Sequence, residues 1–419
     1  MKQSKYNFIF PIEGSMYLIY NAVSGGFAKV DSQTLAVLQH PDEYRDNDRA
    51  SQVLENLKKG TFVVEKDFDE LKYLKVLSTA HRFASHSMGV TIAPTLECNF
   101  DCTYCYETHA PVTMNKDIIT SVKKFFEFEI KKINGLGVTW FGGEPLIAFE
   151  IVKEISQFIL NQKEITFEAG MITNGYLLTR KIAEQLKELK TTSVQITLDG
   201  PPETHDKRRP LRNGKGTFER ILTNITDATD ILKVSIRVNV DESNIEHVPE
   251  VLDILGEKGL KDRVCVYFAP VLDINMCRDA AGACFSYETY SQHEIELYKK
   301  ALEKKFQIVR FPVPLKGCCG AVSLNSFLID PYGNFHKCWN TVGVEGEAVG
   351  KIGEPLKMNS TLLNWLSWDP FEKGECRECK FLPICMGGCP YLSRIREVNC
   401  STWKYNLEEM LRLYYTSRV

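Results

Sequence analysis

The sequence has no apolar run of membrane-spanning length and no long block of like charge. Its basic start, MKQSKYNFIFPIEGSMYL, is not followed by an apolar core with a small-residue cleavage site. Each absence removes a class of function. A helix crossing a bilayer needs about 20 consecutive apolar residues, and a secretory signal needs an apolar stretch before its cleavage site. With 51 basic and 54 acidic residues, for a formal net charge of -3, the chain carries no electrostatic footprint for nucleic acid or an anionic membrane. It is therefore expected in the cytoplasm, with neither as a partner.

The 419 residues, 44% of them hydrophobic, are enough for a full catalytic core and one or two smaller modules. The chain also has 14 cysteines. In a reducing compartment these read as metal ligands or catalytic thiols rather than disulfides. Cys98, Cys102 and Cys105 stand together, a long cysteine-free stretch follows, and eight more crowd between Cys318 and Cys400. Cys265, Cys277 and Cys284 lie between these groups and are expected to be small buried hydrophobes.

Three segments differ in pattern. Residues 1–88 read as a small α+β unit: FIFPIEGSMYLIYNAVSGGFAKV suggests short strands turning at Gly14-Ser15 and Gly25-Gly26, followed by a helix capped by Asp31 or Ser32. Further helices are expected in DRASQVLENLKKG, stopped at Gly60, and in DELKYLKVLSTAHRF. From Val90 onward, strands (GVTIAPTLE, GVTWF, ITFEAGMIT, SVQITLDG, KVSIRVNV, RVCVYFAP) alternate with helical segments. Six such repeats without a hairpin signal predict a parallel βα barrel or open sheet over residues 89–309. Residues 310–419 turn to cysteines, glycines and short elements, as a cluster-stapled module would.

The first cysteine group, ECNFDCTYCYE, spaces Cys98, Cys102 and Cys105 as CxxxCxxC just after the first strand of the repeat. In parallel βα folds the C-terminal strand ends hold the active site. Three thiolates fill three iron sites of a four-iron cube and leave the fourth iron open; zinc is the other ion that accepts such thiolates. This spacing, with an aromatic (Tyr104) before the last cysteine, resembles the signature of the radical S-adenosylmethionine (SAM) superfamily. The resemblance implies a partial (βα)6 barrel, SAM held by its amino and carboxylate groups on the open iron, and one-electron cleavage to a 5′-deoxyadenosyl radical.

Other strand ends carry the same resemblance. WFGGEP resembles the family's GGEP motif, with Gly142 and Gly143 permitting close backbone approach and Glu144 offering a carboxylate to the SAM ammonium. Asn174 in ITNG ends the third strand. Thr197 and Asp199 begin TLDGPPETHDKRRP, which is similar to the SxDGPxxxHDxxR stretch of radical SAM peptide modifiers, with Thr197 where a serine would contact the SAM ribose. Arg237, in SIRVNV, is placed to meet the SAM carboxylate, unless it is simply an exposed strand arginine.

The C-terminal group, Cys376, Cys379, Cys385 and Cys389 as CxxCxxxxxCxxxC with Cys400 beyond and DPYGNFHKC upstream, resembles the SPASM auxiliary-cluster domain. The resemblance implies three [4Fe-4S] clusters in all. Its outer auxiliary cluster would rest on Cys376, Cys379, Cys385 and Cys400, and its inner one on Cys319, Cys338 and Cys389, with Cys318, a substrate thiolate or nothing as fourth ligand. The N-terminal unit looks like the winged-helix peptide-recognition element of peptide maturases, which binds a leader by strand addition, or else is a cap on the barrel.

Taken together, these resemblances imply a radical SAM oxidoreductase, supplied by a flavodoxin or ferredoxin-type electron donor, that crosslinks a ribosomally made precursor peptide through a cysteine thioether. An anaerobic sulfatase-type formylglycine maturase is the alternative, although Trp339 follows Cys338 where those enzymes carry an aspartate. A noncatalytic iron-sulfur electron carrier is the alternative from a different class.

Overall fold

The computed structural model describes residues 1–44, 50–107, 109–162, 165–272, 284–306, 309–317, 319–395 and 400–418. Cys277 and Cys318 fall outside these stretches. The chain gathers into two compact units, one of Met1–Phe83, Arg310–Cys319 and Trp368–Val419, the other of Ala84–Val309 and Gly320–Ser367. No helix among the described residues is long and apolar enough to cross a membrane.

The first unit opens with β1 (Lys2–Gln3) and an antiparallel meander of β2 (Asn7–Ile12), β3 (Met16–Asn21) and β4 (Phe27–Asp31). Gly14 and Ser15 both adopt positive φ, 73° and 59°, where the first hairpin reverses. Helix α1 (Ser32–Gln39) starts because the Asp31 carboxylate accepts the Thr34 backbone N–H at 2.8 Å. Helix α2 (Ser51–Lys59) ends at Gly60, β5 (Val63–Val64) pairs with β1, and Asp69 caps α3 (Glu70–Arg82). Ile19, Leu35, Leu38, Leu54, Leu57 and Phe62 form the core of this segment.

The second unit is built on a mostly parallel sheet. Strands β6 (Ser87–Ile92), β7 (Gly135–Trp140), β8 (Thr166–Ile172), β9 (Thr191–Thr197), β10 (Lys233–Val240) and β11 (Val264–Pro270) lie side by side in chain order, all parallel. These are the six strands the sequence pattern indicates, in the parallel α/β arrangement it predicts. Helices α4 (Lys116–Glu129), α5 (Phe149–Leu160), α6 (Arg180–Glu188), α7 (Pro202–Arg208), α8 (Phe218–Ala228) and α9 (Val248–Glu257) fill the crossovers, and α10 (Tyr287–Glu303) follows β11. Their buried faces repeat at helical period: α9 buries Val248, Val251, Leu252 and Leu255, and α8 buries Phe218, Ile221, Leu222 and Ile225.

Two features go beyond the sequence pattern. Helix α7 starts on Pro202, directly after Pro201, in a segment that the repeat of strands and longer helices does not mark; proline at the first helical position costs no hydrogen bond. Beyond β6 the sheet is extended by β12 (Ser326–Ile329), parallel to β6, and by the antiparallel β13 (Asn334–His336) and β14 (Gly350–Lys351), after which comes α11 (Ser360–Leu366). Cys265 corrects the expectation of a buried thiol: it alternates outward on β11 and is exposed. Cys284 is half-buried and packs with Tyr104 against Val271.

The chain returns to the first unit through α12 (Gly374–Arg377), α13 (Leu382–Cys385), α14 (Pro390–Ile395) and α15 (Trp403–Thr416). Within that unit the Phe8 ring meets Phe381 at 4.9 Å, and Phe27 and Phe311 both pack on Tyr414. The cysteine-bearing tail and the N-terminal strands therefore share one apolar cluster.

Candidate active site

A cavity of about 330 Å3 opens at the C-terminal ends of the parallel strands. Cys98, Cys102 and Cys105, on the loop after β6, all line it. Burial pushes the Cys98 and Cys105 thiols up to about 12 and raises that of Cys102 as well, so these sulfurs ionise only when a cation compensates the lost hydration. The Cys105 sulfur lies 3.4 Å from His109 Nε2, and Cys98 Sγ accepts the Phe100 N–H at 3.4 Å.

The glycines after β7 explain how the cysteine loop is held. Gly142 has φ +112°, and a Cβ there would stand 2.3 Å from the Thr95 carbonyl oxygen; at Gly143 it would stand 2.5 Å from that of Glu97. The two backbones touch and are laced together by Gly143 N–H to Thr95 O at 3.2 Å and Glu144 N–H to Glu97 O at 2.9 Å. Both glycines line the cavity; Glu144 does not. Its carboxylate is fully buried and accepts from Leu146 N–H (2.9 Å), the Thr173 hydroxyl (2.8 Å) and Asn174 N–H (2.7 Å). Burial raises its pKa, and these hydrogen bonds offset part of the rise. In this geometry Glu144 ties the end of β8 to the loop after β7 from behind the wall.

Asn174, Thr197 and Arg237 line the cavity at the ends of β8, β9 and β10. Asn174 Nδ2 donates to Asn99 Oδ1 at 2.8 Å, and Arg237 Nε donates to Asn239 Oδ1 at 2.7 Å. Asp199 is fully buried behind the lining, where it accepts from the Tyr104 hydroxyl and from Asn239 N–H (3.0 Å) and pairs with Arg208 Nε at 3.5 Å. Tyr104 lines the cavity, and its hydroxyl also accepts from Arg209 Nη1 at 2.7 Å and Asn239 Nδ2 at 3.1 Å. His205 Nδ1 accepts the Asp199 N–H at 3.2 Å, and burial, followed by the charges of Arg209 and Arg208, holds this imidazole well below its usual pKa and neutral.

Arg209, the arginine that ends the SxDGPxxxHDxxR stretch, also lines the cavity, and so do residues the motifs do not mark: Gln195, Asn239, Tyr106, Phe141 and Trp339. Period two along a strand was the available signal for two of them. Gln195 stands two residues before Thr197 and Asn239 two after Arg237, so each pair faces the same side of the sheet. Phe141 and Trp339 come together only through the fold, with ring centroids 4.7 Å apart.

In the first unit, Cys376, Cys379, Cys385 and Cys400 line one small cavity of about 40 Å3, with Lys404 Nζ 3.5 Å from the Cys400 sulfur. The chain wraps this cavity by a left-handed turn at Met386, φ 48°. The remaining cysteines are divided between the units, Cys319 and Cys389 in the first and Cys338 in the second. Cys338 precedes Trp339 and Asn340, which line the larger cavity. Among the described residues no three His, Cys, Asp or Glu side chains converge as ligands of a single ion. The thiols instead border cavities, three on the larger and four on the smaller, and the larger cavity adds the neutral donors and acceptors and the two arginines that an amino-acid carboxylate and a ribose require. The residues present therefore fit SAM and thiolate-held iron.

Residues 92–255 match the radical SAM superfamily. Over 174 residues the chain is 28% identical to Fe-coproporphyrin III synthase of Methanosarcina barkeri, covering 41% of this chain and 42% of that protein, less than half its length. Over 339 residues it is 26% identical to the cysteine-type anaerobic sulfatase-maturating enzyme of Clostridium novyi, covering 72% of this chain and 88% of that one. Streptococcus suis SuiB, solved with its precursor peptide SuiA, has a similar fold: TM-score 0.55 at 14% identity, over 96% of this chain and 98% of SuiB.

Proposed function

Because residues 92–255 form a radical SAM domain, we propose that this chain is a radical SAM maturase that closes a cysteine thioether within a precursor peptide. The observation that carries the SAM site is the convergence of Cys98, Cys102 and Cys105 with Asn174, Thr197, Arg209, Arg237 and Asn239 on one cavity at the strand ends. Cys98, Cys102 and Cys105 would hold an iron-sulfur cluster, which when bound would supply the one-electron reduction that SAM cleavage requires. The roles of the protein groups follow from their positions. Tyr104, fixed by Asp199, Arg209 and Asn239, forms part of the wall beside the thiols. Arg237 and Asn174 offer donors to the SAM carboxylate, and Thr197 offers a hydroxyl to the ribose. The glycine pair presents bare backbone, while Glu144 holds the loop geometry from behind.

The auxiliary ligands in this reading are Cys376, Cys379, Cys385 and Cys400 for one cluster and Cys319, Cys338 and Cys389 for the other. The four-thiol cavity supports the first set, and Cys338, beside two cavity-lining residues, supports the second. A peptide as substrate is supported by fold likeness to SuiB, whose solved complex holds a precursor peptide. Because that likeness leaves out only about 4% of this chain, it takes in most of the N-terminal unit, to which we assign leader binding. The electron donor in this reading is a flavodoxin or ferredoxin.

Anaerobic incubation of the reconstituted enzyme with SAM, dithionite and the cognate precursor tests the reading by mass spectrometry. The expected product is lighter by two hydrogens and has lost one alkylatable thiol, with 5′-deoxyadenosine formed alongside. Mass loss with every thiol still alkylatable would mean a carbon-carbon link. Unchanged mass with solvent deuterium uptake would mean epimerisation, and conversion of a cysteine to an aldehyde would favour the sulfatase-type reaction.

A further inference from the structure

The lining of the large cavity is chemically uneven. The ends of β8, β9 and β10 contribute its amide, hydroxyl and guanidinium groups, whereas Trp339 and Phe141 contribute a paired aromatic surface. The two rings are tilted by 32° with centroids 4.7 Å apart. Phe141 is 4% exposed and Trp339 38%, so Phe141 backs the indole while much of the indole remains bare within the lining.

The exposure of this indole is unusual for the molecule. Trp140, Trp365, Trp368 and Trp403 are all buried, the most open of them at 9%. A large apolar ring left uncovered inside a cavity, and held by a second ring behind it, is built to be covered by something apolar. The two cavity arginines have polar partners of their own, Arg209 the Tyr104 hydroxyl and Arg237 the Asn239 amide oxygen. The indole is also one residue from Cys338, on the turn that follows β13.

We propose that Trp339 is a specificity-determining residue of the peptide site: backed by Phe141, it seats an apolar side chain of the substrate peptide at the cavity and disfavours an acidic one. This inference rests on the reading of the chain as a peptide-modifying enzyme and adds the class of side chain it accepts. The selection is by desolvation. An aliphatic or aromatic side chain gains by covering the indole, whereas a carboxylate laid on the same surface loses water and meets the negative face of the ring.

The test uses reconstituted, SAM-loaded holoenzyme and three small probes, N-acetyl-leucine amide, N-acetyl-phenylalanine amide and N-acetyl-aspartate amide, with dissociation constants measured by saturation-transfer NMR. The wild-type enzyme is expected to bind the leucine and phenylalanine probes on the order of 10-fold more tightly than the aspartate probe, about what covering half of an indole face provides. Trp339→Ala should bring that ratio to within about 2-fold, Trp339→Phe should restore most of it, and Trp339→Arg should reverse it in favour of aspartate. The Arg and Phe variants keep the test decisive if the alanine protein folds poorly. Equal binding of all three probes by wild type, or a ratio unmoved in the arginine variant, would overturn the proposal. Dithionite-driven SAM cleavage by the wild-type enzyme without peptide reports separately on the radical SAM reading: cleavage with no probe preference refutes the role of Trp339 alone, and no cleavage refutes the reading beneath it.

Discussion

Replacing Gly143 by alanine puts a methyl group 2.5 Å from the Glu97 carbonyl oxygen and 2.6 Å from that of Leu96. Carbon and oxygen in even the closest ordinary contacts stay about 3.3 Å apart, so the two backbones must part by roughly 0.8 Å. Overpacking of this kind costs about 1–3 kcal/mol. The hydrogen bonds from Gly143 N–H to Thr95 O and from Glu144 N–H to Glu97 O lie along the same contact and lengthen with it, at about 1 kcal/mol each. The expected loss of stability is therefore about 3–5 kcal/mol. Glu97 directly precedes Cys98, so the displaced segment carries the first thiol of the cysteine loop to which we assign SAM cleavage. A misplacement approaching 1 Å at a reacting group costs on the order of 100-fold in rate, which sets the expected fall in SAM cleavage. Gly137, on β7, is the control, because a Cβ there meets nothing within 4 Å. Gly137→Ala should leave cleavage intact and stability unchanged or higher by about 0.4–1 kcal/mol. Urea unfolding of the anaerobically reconstituted proteins measures the first quantity, and chromatographic 5′-deoxyadenosine yield the second. Wild-type stability and cleavage in Gly143→Ala would refute the contact argument, as would equal damage at Gly137.

The buried imidazole of His205 gives a pH signature: its folded pKa is lowered by burial, so the unfolded chain binds the extra proton and stability falls as pH drops below about 6.5, by up to about 1.4 kcal/mol per pH unit. Unfolding followed between pH 8 and 5 should show this slope in wild type and a shallower one in His205→Gln; parallel curves would contradict the assignment. Anaerobically reconstituted protein should hold about twelve irons, and the triple variant of Cys98, Cys102 and Cys105 to alanine about eight, at four irons per cube. Cleavage of SAM by the triple variant, or stoichiometric zinc in place of iron in the wild type, would remove the catalytic assignment. Deleting residues 1–88 should weaken precursor binding while slow SAM cleavage without substrate persists, measured by calorimetry and 5′-deoxyadenosine yield once circular dichroism shows the remaining chain folded. Undiminished affinity for the full precursor would end the leader-binding role.

Glu144 shows how far a motif reaches. The GGEP string marks the loop after β7, and the two glycines are where that loop touches its neighbour. The string cannot show which way the carboxylate turns. In the fold it turns away from the cavity, because three donors, at Leu146, Thr173 and Asn174, converge behind the wall and compensate a buried charge. Asp199 behaves alike, serving Tyr104 and the Asn239 backbone from behind the lining. Asn239 and Gln195 were within reach of strand periodicity, because residues two apart share a face. Phe141 and Trp339 were not, because no local rule relates residues separated by almost 200 positions.

The local alternation of apolar strands and amphipathic helices was enough, by itself, to determine the six parallel strands of residues 87–270. Each of them must bury its faces under the helix that follows, and that demand is written in consecutive residues. Cysteine spacing likewise set apart the groups that could hold metal. What only the tertiary structure decided is which residues meet across long separations: the pairing of β12 with β6, the four thiols about one small cavity, and the aromatic pair in the larger cavity. These contacts depend on how whole elements pack, and the free energy that selects among packings is a property of the assembled core, which no short window of sequence contains.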